Sequence, residues 1–149
     1  MSSINDIQDR IIEEFSILEG DLDMCVEYII ELGKKINPLA EELRIEDNIV
    51  KGCQSKVWLV ADYHGGNVNF IADSNTLITK GLAGMLIRVF SGQTPSDILQ
   101  SDLYFIQKIG MSRFIGTQRS NGFASMIKQM KLYALAFSTK EGQRKKSHE

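Results

Sequence analysis

Only one stretch of this chain alternates apolar and polar side chains with a period of two. Nearly everything around it repeats at three and four. Lys56 to Tyr63 is rich in β-branched and aromatic residues, Gly65-Gly66 follows, and Val68, Phe70 and Ala72 then alternate with Asn67, Asn69 and Ile71. The pattern predicts two strands joined by a glycine-rich hairpin, with helices before and after it. Val57, Leu59 and Ala61 are apolar on one face of the first strand and Trp58 and Val60 on the other. That makes the first strand central, so a third strand is expected, and Asn48-Ile49-Val50-Lys51 is the nearby segment that can supply it.

Helical spacing runs from Ile4 through Ile7, Ile11, Phe15 and Leu18, with Gly20 placed to end the helix. A second helix follows through Leu22, Cys25, Val26, Ile29, Leu32 and Ile36, with Asp21 as its cap and Asn37-Pro38 as its stop. The tight corner between them implies an antiparallel pair. Pro38 to Asp47 is a polar, acidic connector. Asp73 and Ser74 offer caps for a helix from Leu77 to Phe90, where Gly81 and Gly84 each weaken it by about 1 kcal/mol relative to Ala and imply close packing. Thr94-Pro95-Ser96-Asp97 opens a short helix to about Leu99, and Tyr104 to Gly110 reads as another. Ser120 or Asn121 is the expected cap of a long final helix whose stripe of Phe123, Met126, Ile127, Met130, Ala134 and Phe137 belongs to the core. Thr139 to Glu149 has no apolar residue and reads as a frayed tail, its Arg144-Lys145-Lys146 a solubilising end.

With 149 residues, 43% of them apolar and 24% charged, the chain is sized and composed for one globular domain. Seventeen basic against nineteen acidic residues leave no positive excess for a phosphate backbone, so nucleic acid is not an expected partner. No run approaches the roughly 20 apolar residues of a membrane span, and no basic segment followed by an apolar one opens the chain. The expected location is the cytoplasm. Two cysteines and two histidines cannot build a four-ligand zinc site without carboxylates.

Chemistry therefore rests on a few polar positions. Cys53 lies in the loop Lys51-Gly52-Cys53-Gln54-Ser55, with two lysines nearby and a glycine that permits unusual backbone shapes. Two readings stay open on spacing alone: a reactive thiol, or a small buried hydrophobe at a strand start. Cys25 falls on the buried stripe of its helix and reads as core filler. His64 reads as a solvated residue at the hairpin tip. Arg119, in Gln118-Arg119-Ser120-Asn121-Gly122, is either a positive group for a thiolate or partner, or an exposed arginine before a helix.

Taken together, four segments carry a resemblance. Ile29-Ile30-Glu31-Leu32-Gly33, then Val50-Lys51-Gly52-Cys53-Gln54-Ser55-Lys56-Val57-Trp58-Leu59, then Asp73-Ser74 before Thr79-Lys80-Gly81-Leu82, and finally Arg119-Ser120-Asn121-Gly122-Phe123 stand in the order and spacing of the SufE family of sulfur acceptors. The chain resembles that family over roughly Ile11 to Phe137. The resemblance implies an α+β domain like that of the iron-sulfur scaffold IscU, with a small antiparallel sheet of about three strands packed against helices. With the apolar-free end read from composition, one domain is expected over residues 1–138 and a disordered basic tail over 139–149.

The resemblance also implies a chemistry. The family's cysteine, matched by Cys53, takes sulfane sulfur from the persulfide of a SufS-like cysteine desulfurase, stimulates that enzyme, and passes the sulfur to a SufBCD-like cluster scaffold. Gly52, Gln54 and Arg119 match positions that meet the partner. No cofactor or metal is expected on this chain; the desulfurase carries pyridoxal phosphate. The connector Pro38 to Glu46 and the basic tail have no match. A cluster-holding role would need more ligands than one loop cysteine provides. The alternative is a non-catalytic adaptor that docks desulfurase and scaffold. A cysteine hydrolase would need a base beside Cys53, for which only His64 is at hand.

Overall fold

The computed structural model describes residues 2–148, with side chains through residue 142. Helix α1 (Ile4–Ser16) opens on a capping box in which the side chains of Ser3 and Asp6 each accept from the other's backbone amide. Glu19 and Gly20 then take left-handed conformations and turn the chain into α2 (Leu22–Lys34), where the Asp21 carboxylate accepts from the Met24 amide at 3.0 Å. The corner and the cap are as predicted, but the two helices do not pack side by side as the expected antiparallel pair: α2 lies chiefly on the helix Leu77–Phe90 and meets α1 near the corner, where Phe15 and Tyr28 touch edge to face.

Strands β1 (Val57–His64) and β2 (Asn67–Ser74) pair antiparallel from Val57–Ser74 to His64–Asn67. Gly65 and Gly66, at φ 61° and 83°, supply the two left-handed residues that a tight two-residue hairpin needs. Val57, Leu59, Val68, Phe70 and Ala72 turn inward and are buried. The third strand is not formed. A 3-10 turn over Glu46–Asn48 and the turn at Lys51-Gly52 leave room for a single bridge, Ile49 to Trp58, with the Val50 amide donating to Val57 O at 2.8 Å. Two strands, not three, make the sheet.

Helix α3 (Leu77–Phe90) lies against β2 and α2, and nine of its fourteen residues are buried. Its N-cap is Thr76, whereas Asp73 and Ser74 are engaged elsewhere. The close packing implied by its glycines is real: a Cβ on Gly81 would fall onto the carbonyl of Ile29, and one on Gly33 onto that of Leu77. Backbone meets backbone where α2 crosses α3.

Helix α4 (Pro95–Gln100) starts at Thr94, whose hydroxyl accepts from the Asp97 amide at 3.1 Å. After α5 (Phe105–Lys108), the last helix, α6 (Met111–His148), begins nine residues before Ser120. It breaks at Gly116 (φ 83°, ψ 172°) and resumes before Ser120, so neither Ser120 nor Asn121 is its cap. The early turn exists because Met111 and Ile115 bury against the core. Phe123, Met126, Met130 and Ala134 then close the core over α3 and the sheet, as their spacing predicts. The helical backbone continues over 139–148, beyond the point where a tail was expected; its Lys, Arg, Gln and Glu residues are all good helix formers. The side chains of Arg144-Lys145-Lys146 lie outside the described residues.

Candidate functional site

The loop from Val50 to Val57 is fastened at its base. Lys56 O accepts from the Asn75 amide (3.2 Å) and the Ser74 hydroxyl (2.8 Å), and the Lys56 amide donates to Asn75 Oδ1 at 3.1 Å. Toward its tip the holding is lighter. Gly52 sits at φ +92°, a conformation that side chains rarely adopt, and a Cβ there would run into Ser125 of α6. Beyond it, the Cys53 thiol donates to the carbonyl of Gly122 at 3.4 Å.

Cys53 is half-buried and packs against the core. It opens onto a small pocket of about 80 Å³ bounded by its own loop (Gln54, Ser55), the start of α3 (Thr76, Thr79, Leu82) and α6 (Gln118, Arg119, Gly122, Met126). Three elements distant in sequence thus converge on one sulfur. Gly122 and Cys53 lie close: a Cβ on residue 122 would come into ordinary contact, 3.4 Å from Sγ and 3.6 Å from the Cys53 Cα.

Burial pushes the Cys53 thiol above its ordinary range. The resting group is therefore a protonated thiol facing a carbonyl acceptor. The nearby cations do not counter this effect. Lys51 and Lys56 are exposed, and the exposed Arg119, although it borders the pocket, donates back to Ile115 O at 3.4 Å. Gln54 and Arg119 do meet at the pocket with Cys53, whereas Gly52 stands behind the loop and shapes it.

His64 ends β1 at the hairpin, exposed, while Cys53 precedes the start of the same eight-residue strand. At about 3.3 Å per residue the strand carries His64 roughly 20 Å from Val57, and Cys53 opens instead on a pocket with Thr76, Thr79 and Gly122, so the two are not paired. Cys25 is buried at 3% exposure, its thiol raised chiefly by desolvation, in keeping with a core position. Neither cysteine is in a disulfide.

Asp73, expected as a helix cap, is a buried hub. Its carboxylate accepts from the amides of Leu39 and Ser74, both at 2.8 Å, binds Arg44, and pairs with Lys80 at 3.2 Å. Burial alone raises its pKa, but the two amides and Lys80 outweigh that and hold the carboxyl below the usual range. Arg44 in turn covers the ring of Trp58, 5.3 Å from its centroid. This network clamps the acidic connector onto the sheet, next to the cysteine loop. Sequence reasoning had no signal for Thr76 or Ser125, and Thr79 and Gly122 showed only as parts of motifs.

The family model SufE, described as an Fe-S metabolism associated domain, matches residues 9–134. This chain belongs to the SufE family. SufE-like proteins described as uncharacterized are similar to it: one from Rhizobium etli is 40% identical over 128 residues, covering 83% of this chain and 86% of that one. Another, from Synechocystis sp., is 35% identical over 86% of this chain and 80% of its own. A third, from Rhizobium meliloti, is 37% identical over 83% and 91%. The solution structure of a hypothetical protein from Thermus thermophilus has the same fold, with a TM-score of 0.72 at 21% identity over 89% of this chain and 96% of that one. Membership in SufE ties the chain to Fe-S metabolism, and the expected α+β class is the observed one. No helix among the described residues is long and apolar enough to cross a membrane.

Proposed function

We propose that this SufE protein is a covalent sulfur carrier whose acceptor is Cys53. The observation that carries the reading is the seat of that thiol. It sits on a glycine-shaped loop secured at its base and through Ser55, while the thiol itself makes a weak contact with a carbonyl. Such a side chain is shielded at rest and needs only a short loop movement to reach a partner.

The donor is a persulfide on a SufS-like cysteine desulfurase, which supplies pyridoxal phosphate chemistry on its own chain; SufE requires no cofactor. Once the loop swings out, Cys53 loses the burial that holds its proton. Its thiolate attacks the terminal sulfur of the donor persulfide, a new S–S bond forms to Cys53, the old one breaks, and the donor leaves as thiolate. Removing that sulfur frees the desulfurase for its next turnover. A second exchange, with the Cys53 terminal sulfur attacked by a thiolate of a SufBCD-like scaffold, restores the carrier. Arg119 and Gln54, at the pocket rim, are the groups that meet the donor. The cycle belongs in the cytoplasm, where thiols stay reduced.

Incubation with desulfurase, pyridoxal phosphate and cysteine, followed by mass spectrometry, tests this. A carrier gains the mass of one sulfur on Cys53, and Cys53→Ser gains none. A chain that binds desulfurase but never gains sulfur is an adaptor, and the reading fails.

A further inference from the structure

Three hydroxyls stand along the pocket wall next to Cys53. Thr79, only 6% exposed, donates to Ser55 Oγ at 3.3 Å, and Ser55 Oγ lies 3.1 Å from Thr76 Oγ1 with either able to donate. Each hydroxyl carries one proton, so two contacts use two of three. The third proton stays on Thr76 if Ser55 donates onward, or on Ser55 if Thr76 donates back. Among the described residues it has no acceptor in either arrangement.

The resting thiol does not need that proton. It is itself a donor, and Gly122 O receives it. Sulfur transfer reverses the demand. With a second sulfur attached, Sγ has no hydrogen left for the carbonyl of Gly122, and negative charge collects on the terminal sulfur, which accepts hydrogen bonds. Leu82 and Met126 offer no donor, and the donors of Gln54, Gln118 and Arg119 belong to exposed side chains that solvent also reaches, whereas Ser55 is part-buried and held by Thr79. At about 80 Å³ the pocket admits one more atom little larger than a water molecule, which needs only about 15 Å³ of such space.

We infer that the terminal sulfur of a Cys53 persulfide lodges in this pocket and accepts the spare proton of the Ser55–Thr76 pair. Ser55 and Thr76 stabilise the charged persulfide, and Thr79 is a positioning residue that directs the pair by donating into it. This rests on the reading of Cys53 as the sulfur acceptor and assigns the residues that hold the product.

The test loads the intact protein with inorganic polysulfide, so no desulfurase is involved: the Cys53 thiolate attacks one sulfur of the polysulfide and the shortened chain leaves as an anion. The pH dependence of alkylation is then followed by mass spectrometry, which separates alkylated persulfide from alkylated thiol. A hydrogen bond to an anion lowers its pKa, so the double variant Ser55→Ala/Thr76→Val should raise the persulfide midpoint by about one unit, a tenfold change in ionisation, with the resting thiol unmoved. The hydroxyl-preserving variant Ser55→Thr/Thr76→Ser should titrate like the wild type. A double variant with the wild-type persulfide midpoint overturns the inference, as does an equal shift in the hydroxyl-preserving one. A wild-type protein that takes sulfur from polysulfide but never from desulfurase sinks the carrier reading and leaves this measurement intact.

Discussion

The Cys53 sulfhydryl and the Gly122 carbonyl meet at 3.4 Å across 69 residues of chain. The contact is between a weak donor and a helix carbonyl, at a glycine where even a Cβ would touch Sγ at 3.4 Å without clash. Thiol protonation and loop position are therefore linked. A thiolate has nothing to donate and would face a carbonyl oxygen, so the tucked loop favours the neutral form.

This gives a pH prediction with a definite sign. Burial raises the Cys53 pKa, so the folded state holds that proton more tightly than the unfolded chain. Alkylation of Cys53 in the free protein should have its midpoint above the ordinary thiol value of about 8.5, returning to it in urea. Arg119→Ala should leave the free-protein midpoint in place, because burial accounts for the shift. A midpoint that rose on removing Arg119 would show that the guanidinium stabilises the thiolate at rest.

Gly52 makes a separate prediction about the loop. Ala at φ +92° is strained by about 1–2 kcal/mol, and its Cβ would also stand 2.5 Å from Ser125 Oγ. The hydroxyl can rotate away, so the backbone term dominates. Gly52→Ala should lower the urea midpoint by an amount of that order, and adding Ser125→Ala should recover only a small part. Full recovery in the double variant would mean that crowding, not backbone strain, sets the cost.

Asp73 supplies a stability prediction. Replacing it with Ala strands Lys80, only 13% exposed in its side chain, and leaves the Leu39 amide without its acceptor. A loss of about 3 kcal/mol is expected from breaking such a buried pair. The acid dependence has the opposite sign to that of Cys53. A carboxyl held below its usual range contributes stability above about pH 4, and that contribution disappears as pH falls through the depressed value. Urea titrations at pH 7 and pH 3 should show wild type losing more stability between them than Asp73→Asn.

What was legible in the sequence is local, and what was not depends on distant partners. Alternation around Gly65-Gly66 marked the hairpin, and Asp21 and Thr94 marked helix starts, since each acts on residues three positions away. Gly52 before Cys53 marked the loop. The missing third strand was invisible because Ile49 is extended for reasons of its own, between two turns. Asp73 looked like a cap because its partners, Leu39 and Arg44, lie 34 and 29 residues away. For the same reason spacing left Cys53 open between a reactive and a buried thiol, and Thr76 and Thr79 carried no sign that they share its pocket.

Two glycines of α3 make a contrasting pair for mutation. In an exposed helix either one replaced by Ala would gain about 1 kcal/mol. At Gly81 the new Cβ would collide with the carbonyl of Ile29 on α2, and neither backbone can yield without separating the helices. At Gly84 the nearest atom is Ile36 Cδ1 at 2.7 Å, the far end of a side chain that can turn aside. Gly81→Ala should therefore cost several kcal/mol or prevent folding, since overpacking that moves backbone costs about 3 kcal/mol or more. Gly84→Ala should stay within about 1 kcal/mol of wild type, its helix gain set against the repacking of Ile36. Thermal melts of the two variants decide the matter. A stable Gly81→Ala protein would mean that α2 and α3 can part without cost, and the floor beneath the cysteine loop would then be softer than the α2–α3 packing implies.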